Sequence, residues 1–502
     1  MREENRRKMV IAGVMLGLFL SALESTVVAT AMPTIVASLG GLSIFSWVFS
    51  GYLVSSTVTM PLWGRLSDLH GRRPLFLAGV FIFMLGSALC GVSGSMRQLV
   101  AFRFIQGMGA GAVMPLTFTI IGDIFSLEQR AKMQGLFSGV WGVASLTGPF
   151  VGGYLADHVS WRWVFYINVP FSLLSIFLIY RGLDKEELHK TQKGSLDAVG
   201  TLTFAGAVLS LLAGLSIIGR QAALTAALFC LSGLLILLYI RTENKAENPI
   251  IPLKLFRIRI FSSAQMAGFF SGMAMFGTLS FIPLYMQSVA GSTATEAGRI
   301  LLPFMLSWVV FSILGGRLIL KFGYRELVIT GNALLACGFM LMVLLKGGAS
   351  PLLMILSMAL EGAGMGFNMA PFLIAVQNAV PKNLMGAATS STQFIRTVGG
   401  AIGVAIMGAT LSQYLKSRSE MLLGDLSPQT RMLGKILEHP DSVIFSRIGY
   451  GLSPDILLQA RMHMAWGLHR VFAAGLVFAL LSLAACLTVP EGSARTHAWK
   501  ED

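Results

Sequence analysis

The stretch "GRLSDLHGRRP", from Gly64 to Pro74, places a basic turn between two long apolar segments. A related stretch, "GRLILKFGYR", runs from Gly316 to Arg325 with the same G-R-L-x-x-x-x-G-x-R spacing. The apolar segments beside the first turn are each roughly twenty residues long, which matches the thickness of a bilayer. Two copies of one basic turn predict a duplicated structural unit.

The composition predicts a polytopic membrane protein. Hydrophobic residues make up 54% of the chain and charged residues only 12%, whereas a soluble domain carries about 25% charged residues. The net charge of +14 lies in short loops between apolar segments and not on one folded basic face. It therefore indicates membrane topology and not nucleic-acid binding.

Fourteen apolar segments predict an all-α fold with fourteen transmembrane helices. The first segment could be a signal peptide, but no A-x-A site follows it and it continues through "TVVATAMPTIVASL". The predicted spans are 9–38, 44–63, 74–93, 98–122, 132–156, 163–182, 197–217, 221–240, 261–287, 297–320, 326–345, 351–379, 386–414 and 468–489.

The distribution of Lys and Arg predicts the orientation. Loops on the side of the N-terminus carry most of these residues: Arg72, Arg73, Arg130, Lys132, Arg181, Lys185, Lys190, Lys193, Arg241, Lys245, Lys254, Arg257 and Arg259. The short loops on the other side carry about one each, Arg97, Arg162, Arg220, Arg299 and Lys346. Both termini are therefore predicted to be cytoplasmic, in the cell membrane.

Several kinds of site are not predicted. Each cysteine stands alone in an apolar segment, so neither disulfides nor metal sites are expected at Cys90, Cys230, Cys337 and Cys486. No G-x-x-x-x-G-K-[ST] motif occurs, which argues against an ATP-driven pump. The seven histidines are scattered, which argues against a membrane enzyme. No cofactor is expected.

Further pairs of segments extend the repeat. "FLSALESTVVATAMP" at 19–33 aligns with "FFSGMAMFGTLSFIP" at 269–283, and "QGMGAG" at 106–111 aligns with "EGAGMG" at 361–366. Elements in the same order at a nearly constant offset predict two parallel six-helix bundles with a cavity between them. The predicted parts are 1–190, a two-helix insert at 191–255, and 256–502, which contains a long extracytoplasmic loop at 416–467 with short amphipathic helices or a hairpin.

Five motifs resemble the fourteen-helix drug:proton antiporter branch of the major facilitator superfamily. They are "GRLSDLHGRRP", "RFIQGMGAGAVMP" (103–115), "GVASLTGPFVGG" (142–153), "LESTVVATAMPTI" and "WRWVFYINVP". The resemblance implies a monomeric antiporter that exchanges protons for amphipathic, often cationic drugs or toxic compounds by alternating access. An exporter of an endogenous metabolite, a lipid or a siderophore is an alternative, as is a nutrient symporter.

The resemblance implies a conformational latch at the first basic turn. Asp68 and Arg72 are four residues apart and can pair; by resemblance, Asp68 also meets the start of a helix in the other half, and Arg72 meets Asp123. Leu320 and Tyr324 replace the pair in the second copy, so only one half is expected to carry the latch. The alternative is a loop that only sets topology. The latch residues are Gly64, Asp68, Gly71, Arg72, Arg73 and Asp123.

Glu24 and Arg103 are candidates for proton coupling. Glu24 lies about 24 Å beyond Lys8 along a helix, and Arg103 lies about 9 Å beyond Arg97 from the opposite side, so they reach similar depths. Burial favours a neutral carboxyl and a nearby guanidinium favours the ionised form, so a change in their contact would switch proton affinity. A static structural pair is the alternative. The family usually has Asp where this chain has Glu24.

Glu361 is the second buried acid, near mid-membrane, and Met358 occupies the repeat position equivalent to Arg103. Without a cationic neighbour, it is expected to take up a proton or attract a cationic substrate. A glutamate hydrogen-bonded to a neighbouring helix is the alternative. We assign Gln106, Glu361 and Asn368 to the substrate cavity.

The small residues of "GVASLTGPFVGG" allow close helix packing, and Pro149 offers a bend. The resemblance makes this segment an antiporter motif, although Ala144 stands where the family usually has Gly; ordinary helix packing is the alternative. The motif residues are Gly142, Gly148, Pro149, Gly152 and Gly153.

Overall fold

The computed structural model describes residues 3–41, 44–45, 47–183, 197–218, 221–292, 294–344, 351–423, 427–438 and 454–491. Every regular element in these ranges is a helix. The α-helices are α1 Glu3–Leu39, α2 Trp47–His70, α3 Arg72–Val92, α4 Met96–Ile124, α5 Leu127–His158, α6 Trp163–Tyr166, α7 Asn168–Gly182, α8 Ala198–Ser216, α9 Ala222–Glu243, α10 Arg259–Ser288, α11 Ala294–Arg299, α12 Leu302–Leu344, α13 Pro351–Ala379, α14 Met385–Leu423, α15 Pro428–Glu438 and α16 Pro454–Leu487. Short 3₁₀ helices lie at Leu253–Arg257 and Lys382–Leu384.

Twelve of the described helices are long and apolar enough to cross a membrane. This count takes α6 with α7 as one span and divides α12 into two, at 302–319 and 321–344. The remaining predicted spans correspond to α2 and α5, whose lengths suffice but whose composition is more polar. The all-helical membrane fold is confirmed, whereas the predicted number of fourteen spans is not.

Helix packing repeats along the chain. In the first part, α1 packs on α5 and α7, while α4 packs on α2 and α3. In the second part, α10 packs on α14 and α16, while α13 packs on α12. Contacts between the two parts also pair up, because α2 packs on α14 and α5 packs on α12. This arrangement agrees with the predicted repeat of a six-helix unit.

The two basic turns share one backbone feature. Gly71, between α2 and α3, has φ 92°, and the equivalent Gly323 inside α12 has φ 82°. This region of φ is accessible to glycine at little cost, which explains why both turns keep a glycine at that position. α12 is kinked at Gly323, near the boundary between the two spans that correspond to α2 and α3.

Helices α8 and α9 pack on each other, and α8 also contacts α2 and α14. Phe204 lies against Phe394 of α14, with ring centroids 5.1 Å apart. The insert therefore lies beside the contact of α2 with α14 between the predicted halves. The bounds of the three predicted parts stay a prediction, and residues 184–196 lie outside the described residues.

The predicted loop at 416–467 is shorter in the described residues. α14 continues to Leu423 and α16 begins at Pro454, well before the predicted start of that span at 468. Between them, α15 buries Leu433 and Leu437 in the same apolar core as α14 and α16. The extensions form because these helix ends have apolar partners. Residues 424–426 and 439–453 lie outside the described residues.

Candidate functional site

The glycines of α4 bring this helix close to α2 and α3. A Cβ atom on Gly107 would lie 3.0 Å from Tyr52 Cα, and one on Gly109 would lie 2.6 Å from the Gly79 carbonyl oxygen. Only glycine allows these close approaches. One turn before Gly107, the Arg103 guanidinium lies over the Tyr52 ring, 4.2 Å from its centroid.

Glu24 and Arg103 form a buried ion pair. Glu24 is 1% exposed and Arg103 is 2% exposed, and Arg103 Nη1 donates to Glu24 Oε1. Arg103 also donates from Nη1 to Gln106 Oε1 at 2.8 Å and from Nε to the Val48 carbonyl at 2.9 Å. The structure therefore brings the predicted pair together and adds Gln106 to it.

Asn168 completes this cluster and was not singled out in the sequence. Its Nδ2 donates to Glu24 Oε2 at 2.5 Å and to Ser87 Oγ at 2.9 Å. The two carboxylate oxygens of Glu24 thus accept hydrogen bonds from two different helices, α4 and α7. The only sequence signal for Asn168 was its place in the "WRWVFYINVP" motif, which does not say which side chain faces inward.

The chemistry of this cluster follows from these contacts. An ionised Glu24 neutralises Arg103 and accepts from Asn168, so every partner favours the charged carboxylate. A protonated Glu24 would lose the charge-assisted bond and would release Arg103 toward Gln106 and Val48. The ion pair is therefore a contact between α1 and α4 that depends on the charge of Glu24.

The first basic turn lies at the end of the bundle where α1 begins, which we call the basal end. Asp68 and Arg72 form a buried ion pair, and Arg72 Nε donates to Asp123 Oδ2 at 2.8 Å. Asp68 also accepts from the backbone N–H groups of Gly386 at 2.9 Å and Ala387 at 2.8 Å. These groups begin α14, so the contacts expected for Asp68 and Arg72 are present.

Gly64 permits this contact between α2 and α14. A Cβ atom there would lie 2.5 Å from the Gly386 carbonyl oxygen, which no side chain could tolerate. Arg73, another predicted latch residue, has a different position. Its Nη2 donates a hydrogen bond to the Tyr180 carbonyl at the end of α7, at a distance of 2.8 Å. Gly64, Asp68, Arg72 and Asp123 thus meet at one junction, and Arg73 lies beside it.

The second basic turn lacks an equivalent junction among the described residues. Tyr324, at the position of Arg72, is buried and hydrogen-bonds Asn378. The ion pair of this turn joins Arg325 to Glu491, and the Glu491 side chain is exposed. The asymmetry expected from the sequence is present in these contacts.

Glu361 is bound by hydroxyl groups. It is 1% exposed and accepts from Thr278 of α10 at 2.5 Å and from Ser357 of α13 at 3.3 Å. No described cationic group lies within 4.0 Å of it. The contact with Thr278 matches the alternative of a glutamate hydrogen-bonded to a neighbouring helix, and its role stays a prediction.

The residues assigned to the substrate cavity do not lie together. Asn368 lines a cavity between α10, α13 and α14 and donates to Asn332 Oδ1 at 3.0 Å. Glu361 does not line the described wall of this cavity, and Gln106 belongs to the cluster around Arg103. Of the three, only Asn368 faces the cavity.

The antiporter motif lies on α5, which is helical from Leu127 to His158 and includes Pro149. The early part of the motif faces α12: a Cβ atom on Gly142 would lie 3.3 Å from Val309 Cγ2. Its later part faces α1, because Gly148 lies against Thr26 and Gly152 against Val27. Ala144 is buried, and its carbonyl accepts from Thr26 Oγ1 at 3.5 Å.

Substitution by alanine is expected to affect these glycines differently, because some are tightly packed and one is not. A Cβ atom would lie 2.8 Å from Thr26 Cβ at position 148 and 2.6 Å from the Val27 carbonyl oxygen at position 152, whereas Gly153 has no atom within 4 Å. Overpacking costs about 1–3 kcal/mol, so Gly148→Ala and Gly152→Ala should lower the thermal unfolding midpoint of the purified protein. Gly153→Ala is the matched control and should leave it unchanged. An equal decrease in all three variants would contradict this packing.

No group of three or more His, Cys, Asp or Glu side chains suited to a metal ion is present in the part of the chain that the structure describes. The four cysteines are free.

Comparisons with known proteins agree with this architecture. The family model of the Major Facilitator Superfamily matches residues 14–404. The multidrug transporter protein MdtP of Bacillus subtilis (strain 168) is 38% identical over 499 residues, which cover 95% of this chain and 92% of the relative. The efflux pump dotC of Dothistroma septosporum is 32% identical, covering 94% of this chain and 82% of dotC.

Solved structures share the fold. The human organic anion transporter MFSD10 superposes with a TM-score of 0.61 at 16% identity, covering 94% of this chain and 99% of that one. The proton:xylose symporter XylE superposes with a TM-score of 0.57 at 14% identity, covering 95% of each chain. With the repeated helix packing and the family match over most of its length, the chain belongs to the Major Facilitator Superfamily of membrane transporters.

Proposed function

We propose that this chain is a proton-coupled antiporter that exports amphipathic, often cationic drugs or toxic compounds. The observation that carries the proposal is the buried contact of Glu24 with Arg103 and Asn168, since an acid buried at such cost in a membrane protein usually serves function. The names of the relatives, a multidrug transporter and an efflux pump, support drugs as the substrates.

The proposed cycle couples two sites. Protonation of Glu24 weakens its contact with Arg103, and this change favours the conformation in which the basal end opens. The junction of Asp68 and Arg72 with the start of α14 favours the opposite conformation, with the basal end closed. Substrate and proton then use the transporter alternately and in opposite directions.

The proposed setting is the cell membrane, with the chain working as a monomer and with both termini in the cytoplasm. The Lys and Arg residues at the basal end support this orientation, because such residues concentrate on the cytoplasmic side. In this orientation the basal junction is a cytoplasmic gate, which the contact of Asp68 with the start of α14 holds closed.

Inside-out membrane vesicles from cells that express the chain test this function. Respiration generates a proton gradient, and the fluorescent cation ethidium reports transport into the vesicle. We expect accumulation that stops when nigericin collapses the pH gradient and that does not require ATP. Accumulation that survives loss of both the pH gradient and the membrane potential, or that requires ATP, would overturn the proposal. Vesicles containing the Glu24→Gln variant are the matched control.

Glu361→Gln is expected to affect divalent cations selectively. Glu361 has hydroxyl partners on two helices and no described cation within 4.0 Å, so its charge can balance part of a substrate's charge. A second positive charge is difficult to accommodate in a medium of low dielectric constant. Resistance to divalent cationic drugs should fall about tenfold or more, and resistance to monovalent ones should change less than about threefold.

Minimal inhibitory concentrations of matched monovalent and bisquaternary compounds, in a pump-deficient bacterium, measure this selectivity. Glu361→Asp keeps the charge and is the control variant. If Glu361→Gln matches wild type for every compound, the glutamate has only a structural role between α10 and α13.

A further inference from the structure

Arg396 is a membrane-embedded cation that the proton pathway and the basal junction do not use. It lies eleven residues after the start of α14 at Met385, or about 16 Å along the helix axis. This depth is near the middle of a bilayer core of about 30 Å, away from lipid headgroups. Arg396 lines the same cavity as Asn368, between α10, α13 and α14.

The partners of Arg396, which is half-buried, differ from those of the buried residues Arg72 and Arg103. Arg72 pairs with Asp68 and Asp123, and Arg103 pairs with Glu24. By contrast, no carboxylate among the described residues lies within 4.0 Å of Arg396. Its Nη2 donates to Gln393 Oε1, a neutral group one turn earlier. A guanidinium has five N–H donors, so most of the binding capacity of Arg396 remains open to a ligand.

The cavity beside Arg396 is small in this conformation, about 10 Å³, and its wall is polar on one side and apolar on the other. Thr392, Gln393 and Ser271 are polar, while Met369 and Phe372 of α13 provide an apolar surface. Gln265, which donates to Thr392 Oγ1 at 3.0 Å, has a buried Oε1 atom without a described partner. The polar part lies near Arg396 on α14, so the ligand should direct a charged group toward α14 and an apolar body toward α13.

We propose that Arg396 binds the anionic group of an exported amphiphile, a carboxylate above all. A guanidinium binds a carboxylate through two parallel N–H···O bonds, and this geometry is favoured over a single contact. The substrates then include zwitterionic and acidic amphiphiles in addition to cations. This inference rests on the proposed export function in one respect: the ligand of Arg396 is taken to be the transported compound.

Binding of rhodamine 110 and of its methyl ester to the purified full-length protein tests the proposal. The two dyes share one ring system and differ at the carboxylate, and fluorescence anisotropy gives the affinity of each. For Arg396→Gln we expect the affinity for the free acid to fall about tenfold or more, while that for the ester changes less than about threefold. Arg396→Lys keeps the positive charge but cannot form both parallel bonds, so its affinity for the acid should lie between those of wild type and Arg396→Gln.

An unchanged affinity for the acid in Arg396→Gln, or equal losses for acid and ester, would overturn the proposal, as would a wild-type protein that does not bind the acid. Should Arg396→Gln fail to fold, a displacement experiment with the wild-type protein still tests the proposal. 2-Naphthoate should displace rhodamine 110 at least about tenfold more effectively than 2-naphthamide, and equal displacement would overturn the proposal. The binding experiments need no proton gradient. A failure of gradient-driven efflux would therefore count against the proposed function, but it would not affect the comparison of binding between the acids and their neutral counterparts.

Discussion

Replacing Glu24 by glutamine is expected to abolish proton-driven efflux while leaving substrate binding in place. Glutamine keeps the size of the side chain and can accept from Arg103, but it carries no exchangeable charge. The variant cannot pass between an ionised and a protonated state. Coupling between two sites in a protein typically amounts to 5–150-fold, so we expect uphill efflux to fall by about 100-fold.

Efflux of a fluorescent substrate from energised cells measures this effect, and anisotropy with the purified protein measures binding. Glu24→Asp is the matched control, because it keeps the acid one methylene shorter, and it should retain part of the activity. Uphill efflux by Glu24→Gln at the wild-type rate would show that Glu24 and Arg103 form only a static structural pair.

Asp68→Asn is expected to shift the chain from the conformation with a closed basal end to one with an open basal end. Asparagine removes the charge that pairs with Arg72, and its amide nitrogen cannot accept from a backbone N–H of Gly386 or Ala387. Loss of one partner of a buried ion pair costs about 3–5 kcal/mol. Because the Asp68 carboxylate also accepts from the start of α14 across an interface that opens, its loss weakens the closed conformation, and the ratio of closed to open conformations should fall by about tenfold or more.

Spin labels at His70 on α2 and at Asn383 before α14 report this opening through their separation, since both positions are exposed. The distance distribution should move to longer values in Asp68→Asn. Asp157 is an exposed aspartate at the C-terminal end of α5, outside the junction. The Asp157→Asn variant is therefore the control and should leave the distribution unchanged. An unchanged distribution in Asp68→Asn would favour a basic turn that only sets membrane topology.

The contacts predictable from the sequence are those carried by repeated or closely spaced motifs. Asp68 and Arg72 lie four residues apart on one turn, and the comparison of the two basic turns indicated which copy keeps the charges. The depths of Glu24 and Arg103 followed from helix geometry, because the rise per residue is fixed. These features depend on local geometry and need no knowledge of how the helices pack.

The contacts that escaped prediction depend on which faces of distant helices meet. Asn168 lies far along the chain from Glu24, and Thr278 lies far from Glu361, so neither spacing contains a signal for the hydrogen bond. Arg396 carried no motif of its own, and its place in the wall of a cavity depends on how α14 lies against α10 and α13. The extensions of α14 and α16 arise from packing with α15, which a count of apolar residues does not detect.

The central claim is that the chain exchanges substrate for protons through Glu24. Purified protein in liposomes with a pH-sensitive dye in the lumen tests it directly, with the membrane potential clamped by potassium and valinomycin. When ethidium, a permanent cation, is added outside, its entry should drive protons out, and the lumen should become alkaline. Glu24→Gln liposomes should give no pH change. Entry of ethidium into wild-type liposomes at constant luminal pH would contradict the account.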